Sequence, residues 1–131
     1  MEKYQERLPK GISLRLYSGD ELIFENSGKW LHPLFAAEVF LAGKNHDDLR
    51  LHDTVSGTAA AFLASRLNIK KVHADMVSTG ALSVYERFGI SVSYDVHVDR
   101  ILCKTEELFT PDSDPDEVYA ELSKRAGRVR T

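Results

Sequence analysis

The sequence predicts an α/β fold on a mixed five-stranded sheet. Three observations carry that prediction. Residues 13–26, SLRLYSGDELIFEN, alternate apolar and polar on both sides of SGDE, which reads as a hairpin. After it, short apolar runs alternate with Ala-rich or amphipathic segments, the pattern of strands and helices in turn. Twice a strand ends in a Ser/Thr/Gly turn that opens a helix, at DTVSGTAAAFL (53–63) and DMVSTGAL (75–82).

The elements follow in order. Residues 1–11 read as a lead-in with a short helical turn. The hairpin strands cover about 12–18 and 21–26, with the turn at Ser18, Gly19 and Asp20. HPLFAAEVFLAG forms an amphipathic helix, with Pro33 near its start and Gly43 at its end. Residues 48–53 make a short strand and about 56–67 a helix, whose Ala run permits close packing on a sheet. A strand at about 70–77 leads to a helix ended by Gly89. ISVSYDVHV is a strand with Ile90, Val92, Tyr94 and Val96 on one face and Ser91, Ser93, Asp95 and His97 on the other. DRILCKTEELF reads as a short helix or an irregular segment. After the polar TPDSD, PDEVYAELSKRAGRVR is a helix capped by Ser113 or Asp114. It has acids in its first turn and bases in its last, as the helix dipole favours. The order is ββαβαβαβ plus a C-terminal helix. The alternating half implies parallel strands joined by right-handed crossovers, and the hairpin makes the sheet mixed.

At 131 residues the chain reads as a single domain over 1–131, with a core at about 8–102 and a C-terminal extension at 103–131. Its 43% hydrophobic and 28% charged residues are ordinary for a globular protein. A net charge of −3 with interspersed signs argues against nucleic acid as a partner. No apolar run approaches the roughly 18–20 residues of a membrane span, so no membrane partner is expected. The N-terminus lacks the apolar core of a signal peptide. One cysteine permits no internal disulfide, and a cytoplasmic location is the simplest reading.

The repeated turn is the main candidate for function. Asp53, Val55, Ser56 and Ala59 align with Asp75, Val77, Ser78 and Ala81, 22 residues on. That spacing is one strand plus one helix, so both copies fall at the carboxyl edge of a parallel sheet. Ligands bind at that edge, and free N–H groups with the helix dipole favour an anion. Gly57 and Gly80 allow close approach, and Ser56, Thr58, Ser78 and Thr79 offer hydroxyls. Plain capping explains the same residues, because Ser and Thr are preferred N-caps and Ala a good helix former. Asp53 and Asp75 would repel a phosphate unless they bind a base, an amine or a metal, or serve as caps.

VHADM has the look of the His-Ala-Glu signature of zinc deaminases, with His73 and Asp75 in place and Cys103 downstream. The remaining ligands are missing, Asp75 is shorter than the Glu, and the stretch reads as a strand rather than a helix start. No metal and no cofactor are therefore expected. His52 and His73 sit at similar points of adjacent strands, near Asp53 and Asp75. They read as hydrogen-bonded strand histidines, with a divalent metal as the alternative. Cys103 reads as a structural thiol, and Trp30 as an anchor under the first helix.

Residues 53–102 resemble the family called domain of unknown function 1893. Its members carry D-K-V-x-G-K-A-A-A, then S-x-x-A-x-x-x-L-x-x-x-G-I, then Y-[DE]-x-x-V-x-x-I. Asp53, Val55, Gly57, Ala59, Ala60 and Ala61 match the first block. Ser78, Ala81, Gly89 and Ile90 match the second, with Tyr85 for the Leu; Tyr94, Asp95, Val98 and Ile101 match the third. The hairpin and the Pro-Leu after it match as well, so the resemblance spans about 8–102. It implies a cytidine-deaminase-like, three-layer α/β/α fold without the deaminase metal, the two turns lying where deaminases keep zinc ligands. The family's lysines fall on Thr54 and Thr58, its N-R and C-P-x-E motifs are absent, and Cys103 stands in the place of the Asn.

These readings give a non-catalytic ligand-binding or interaction domain. Its crevice would be lined by Asp53, Ser56, Gly57, Thr58, Ser78 and Thr79, and its partner would be a small polar or nucleotide-like ligand. The alternatives are a zinc-independent enzyme acting on a nucleotide-like substrate, with Asp53 as acid/base, and a structural homo-oligomer such as a homodimer.

Overall fold

The computed structural model describes residues 1–127, and the end of the expected C-terminal helix, at 128–130, lies outside the described residues. The chain runs β1 (Leu14–Ser18), β2 (Glu21–Asn26), α1 (His32–Leu41), β3 (Leu49–Ser56), α2 (Thr58–Arg66), β4 (Lys71–Ser78), α3 (Thr79–Arg87), β5 (Ser91–Val98) and α4 (Pro115–Arg125). Single 3-10 turns lie at Lys3–Gln5 and Lys104–Glu107. The strands form one sheet in the order β2-β1-β3-β4-β5. β1 is antiparallel to β2 and β3, while β3, β4 and β5 are parallel. The mixed five-stranded sheet is thus as expected.

The strands run further than the sequence suggests. β3 continues through Thr54, Val55 and Ser56 because Val55 and Ser56 still pair with Met76 and Val77 of β4. Sheet pairing holds extended a Ser/Thr stretch whose local preference is a turn. Helix α2 therefore begins at Thr58, just after Gly57. Gly89, with φ +70°, closes α3 in the left-handed conformation expected of it. Asp114 caps α4, its Oδ1 accepting from the N–H groups of Asp116 and Glu117.

One core joins the sheet to the helices. Leu14, Leu16, Leu51, Val72 and Ala74 meet Phe62, Leu63, Val84 and Tyr85, together with Val118 and Leu122 of α4. Ala59, Ala60, Ala61 and Ala64 are all buried, and their small side chains let α2 lie close against the strands. Helix α2 packs on α1, α3 and α4, so all four helices share one face of the sheet.

This corrects the three-layer α/β/α arrangement. The face away from the helices carries the N-terminal 3-10 turn, with Tyr4 buried and its carbonyl bonded to His52. The physical reason lies in the connections. Successive crossovers of one hand, advancing in one direction across the sheet, place their helices on the same side. The described lead-in forms only the 3-10 turn Lys3–Gln5 on that face. At the free edge β5 departs from its expected pattern. Tyr94 and Val96 are 43% and 47% exposed, because they extend past the cover that α3 provides.

Candidate functional site

Two helices begin side by side at the carboxyl ends of β3 and β4, and a carboxylate lies between them. Glu106, from the 104–107 turn, accepts the Thr58 backbone N–H at 2.7 Å and the Thr58 hydroxyl at 3.0 Å. It also accepts the Ser78 hydroxyl at 2.9 Å. The first N–H groups of a helix lack internal partners and carry partial positive charge, so they hold an anion. Here the chain supplies that anion itself. Ser78 also caps its own helix, with Oγ accepting from Ala81 N–H at 3.0 Å. No such cap exists at α2, whose N-cap is Gly57. Glu106 takes over that role from 48 residues away.

The glycines make this possible. Gly57 has an extended backbone open to any residue, but a Cβ there would collide with the Glu106 carboxylate. A Cβ on Gly80 would collide with Thr58 Oγ1. Close approach, rather than unusual backbone, therefore requires both.

Beside Glu106 a cavity of about 370 Å³ opens between the 28–33 loop, the end of β3 and the 101–106 segment. Its wall is mostly apolar, with Leu31, Pro33, Val55, Ala60 and Ile101, and Asp53 and Cys103 add polar groups. Burial among these groups, together with the charge of Asp75, pushes the Asp53 carboxyl up to about 7. Asp53 is thus poised to gain or lose a proton near neutrality. Behind it Tyr85 is wholly buried and shares a 2.6 Å hydrogen bond with Ser56. Burial pushes the Tyr85 hydroxyl up, which keeps its proton on. Cys103 Sγ lies 3.0 Å from Thr105 Oγ1.

The six expected site residues divide into four places. Gly57, Thr58 and Ser78 converge on Glu106. Asp53 and Gly57 line the cavity. Ser56 is buried against Tyr85. Thr79 is exposed, bonded to His97 Nε2 at 3.0 Å. The repeat explains part of this division. Its copies are 22 residues apart, but β3 and β4 pair with an offset of 21: His52 opposite His73, Asp53 opposite Ala74. A one-residue slip changes face. Asp53 therefore meets the cavity, whereas Asp75 meets His52 on the opposite face, 2.7 Å from its Nε2. Trp30 does not lie beneath α1. It is 39% exposed, lines the cavity and packs against the His32 ring. Glu106 was missed because it lies in a segment without periodicity, and no local signal ties it to Thr58.

The deaminase zinc does not fit this place. The two turns, where the resemblance to deaminases would place it, hold Ser56, Gly57, Thr58, Ser78 and Thr79, which are poor zinc ligands. Among the described residues, the His, Cys, Asp and Glu donors that gather closely are instead His52, His73 and Asp75, across the sheet. Burial and the neighbouring His52 lower the His73 pKa, which favours a neutral ring.

The family profile of the domain of unknown function DUF1893 matches residues 4–123. A crystal structure of a DUF1893 family protein from Thermotoga maritima is similar, with a TM-score of 0.76 and 29% sequence identity. The similarity covers 88% of this chain and 82% of that one. None of the curated proteins compared is similar to this chain. No helix among the described residues is long and apolar enough to cross a membrane. With a profile match spanning nearly the whole described chain, this protein belongs to the DUF1893 family.

Proposed function

We propose that this chain is a single, non-catalytic ligand-binding domain on a deaminase-like scaffold, and that its ligand occupies the cavity beside Asp53. The observation that carries this reading is the cavity itself. Its volume falls in the range of small-molecule sites, and its mostly apolar wall is interrupted by the Asp53 and Glu106 carboxyls, Lys29 and Cys103. Such a wall suits a flat heterocycle, and Asp53 suits an N–H or ring nitrogen on its edge. Glu106 already fills the anion position, so the favoured ligand is a nucleoside or base rather than a phosphorylated nucleotide. The same occupancy weakens the enzyme reading, which needs the helix starts free to stabilise developing charge. A cytoplasmic location belongs to this proposal and is supported by the single cysteine.

A thermal-shift panel of nucleosides, nucleobases, nucleotides, phosphate and sulfate tests the proposal. A ligand at 100 times its Kd stabilises by about 2.7 kcal/mol, a shift of several degrees. The expected result is a shift with nucleosides or bases that is lost in Asp53→Ala, and none with phosphate. Silence across the panel would refute the ligand class. The homo-oligomer reading has a separate support in the free β5 edge, where Tyr94 and Val96 are exposed. Light scattering on the native chain and on Val96→Lys decides it: a dimer abolished by the lysine supports the edge contact.

A further inference from the structure

On the sheet face away from the helices, His52 and His73 stand opposite each other in register, their ring centroids 4.8 Å apart. Asp75 completes the group, and the three residues each place a donor atom within 4.8 Å of the others. Both imidazoles are buried, at 1% and 7% exposure. The placing of their ring nitrogens is the informative feature. His52 Nδ1 lies 2.8 Å from the Tyr4 carbonyl oxygen, which only accepts, so this nitrogen carries a hydrogen. The other nitrogen, Nε2, lies 2.7 Å from Asp75 Oδ1. Nε2 and Asp75 Oδ1 thus face each other as two potential ligand atoms, with a His73 ring nitrogen beside them.

His73 is set in the same manner. Its Nδ1 lies 2.8 Å from Ser93 Oγ, which Gln5 Nε2 holds at 3.1 Å, and its Nε2 lies 3.3 Å from Asp95 Oδ1. Each ring is thus anchored at Nδ1 by an outer partner and turns Nε2 towards a carboxylate. Proteins orient metal-ligating histidines in this way. The Asp75 and Asp95 side chains are 37% and 65% exposed, so an ion in solvent can reach the group.

We propose that His52, His73 and Asp75 form a binding site for a divalent transition-metal ion of the zinc type. Two imidazoles with a carboxylate suit zinc, whereas magnesium and calcium favour oxygen ligands. Zinc takes its nitrogen and oxygen ligands at about 2.0–2.2 Å, so the Nε2–Oδ1 pair must open to admit it. Asp75, the more exposed partner, makes that adjustment. The site is independent of the cavity, which lies on the other face of the sheet. Tyr4 and Gln5 brace the two rings, so metal binding also fastens the N-terminal turn.

The test uses the full chain, stripped with a chelator and titrated with Zn²⁺ by calorimetry, with Co²⁺ absorption as a report on the ligands. The expected result is saturable binding at one ion per chain. Asp75→Asn and His73→Gln should each weaken binding by at least about tenfold. Asp116→Asn, on α4 across the sheet, should bind as the native chain does. Circular dichroism checks folding, and Asp75→Asn, a half-exposed isostere, keeps the test valid if His73→Gln unfolds. Binding that Asp75→Asn leaves unchanged would overturn the proposal. So would ¹⁵N spectra showing both His52 nitrogens protonated in the presence of Zn²⁺, which would establish an imidazolium–carboxylate pair instead.

Discussion

Replacing Glu106 with alanine isolates the contact on which the paired helix starts depend. The carboxylate accepts three hydrogen bonds, from Thr58 N–H, Thr58 Oγ1 and Ser78 Oγ. The two hydroxyls can turn to other acceptors, but the amide of Thr58, itself 3% exposed, cannot. A buried donor left without a partner costs about 1–3 kcal/mol, and loss of the charge at two helix starts adds about 0.3–1 kcal/mol each. Water entering beside the cavity recovers part of this, leaving a net loss of roughly 2–3 kcal/mol. The loss should be local, confined to the 104–107 turn and the first turn of α2. Hydrogen exchange read at the Thr58 amide should therefore accelerate roughly 30- to 150-fold. Phosphate or sulfate should reverse part of that acceleration in Glu106→Ala and have no effect on the native chain, because the helix starts then take an external anion. Gly57→Ala should reproduce the accelerated exchange, since its Cβ displaces the same carboxylate. Unchanged exchange at Thr58 in both variants would refute the idea that Glu106 serves as the internal anion.

Three further predictions follow from the site and the core. Asp53, raised from 3.8 to about 7 in the folded chain, binds its proton more tightly folded than unfolded. Its contribution is thus fully present below about pH 4 and lost as pH rises through 7. The ceiling is about 4 kcal/mol at ~1.4 kcal/mol per pH unit, of which solvent around a partly exposed carboxyl leaves roughly half. Urea titrations from pH 4 to 8 should show this decline in the native chain and a flatter profile in Asp53→Asn; parallel profiles would exclude the raised carboxyl. Tyr85→Phe strands the buried Ser56 hydroxyl and should cost about 1–2 kcal/mol, with Ser56→Ala in the same background restoring most of it. Leu122→Ala should cost about 2–5 kcal/mol in global unfolding, because α4 inserts that side chain into the main core. A much smaller loss would mean that α4 contributes little to the core.

The elements were largely legible in the sequence because each has a local cause. The Gly19 turn, Gly89 after α3, and Asp114 before Pro115 act within a few residues of themselves, and all three are found where expected. Strand ends were less legible. β3 runs on through Ser56 because β4 continues to pair with it, and pairing partners are not written next to one another. The site was legible as a place rather than as a set of contacts. Ser78 caps its helix as a local rule predicts, but Ser56, aligned with it in the repeat, is drawn inward by Tyr85.

By itself, the sequence determined the number and order of strands and helices, the mixed sheet, and the edge at which two helix starts meet. Each of these follows from periodicity, caps and connection rules that act over short distances. Only the tertiary structure decided three other matters. It placed the four helices on one face, put Asp53 and Asp75 on opposite sides of the sheet, and chose Glu106 to fill the anion position. The reason is common to all three. A sheet offset of 21 against a sequence repeat of 22 reverses a face, and a carboxylate 48 residues away reaches Thr58 only once the chain has folded.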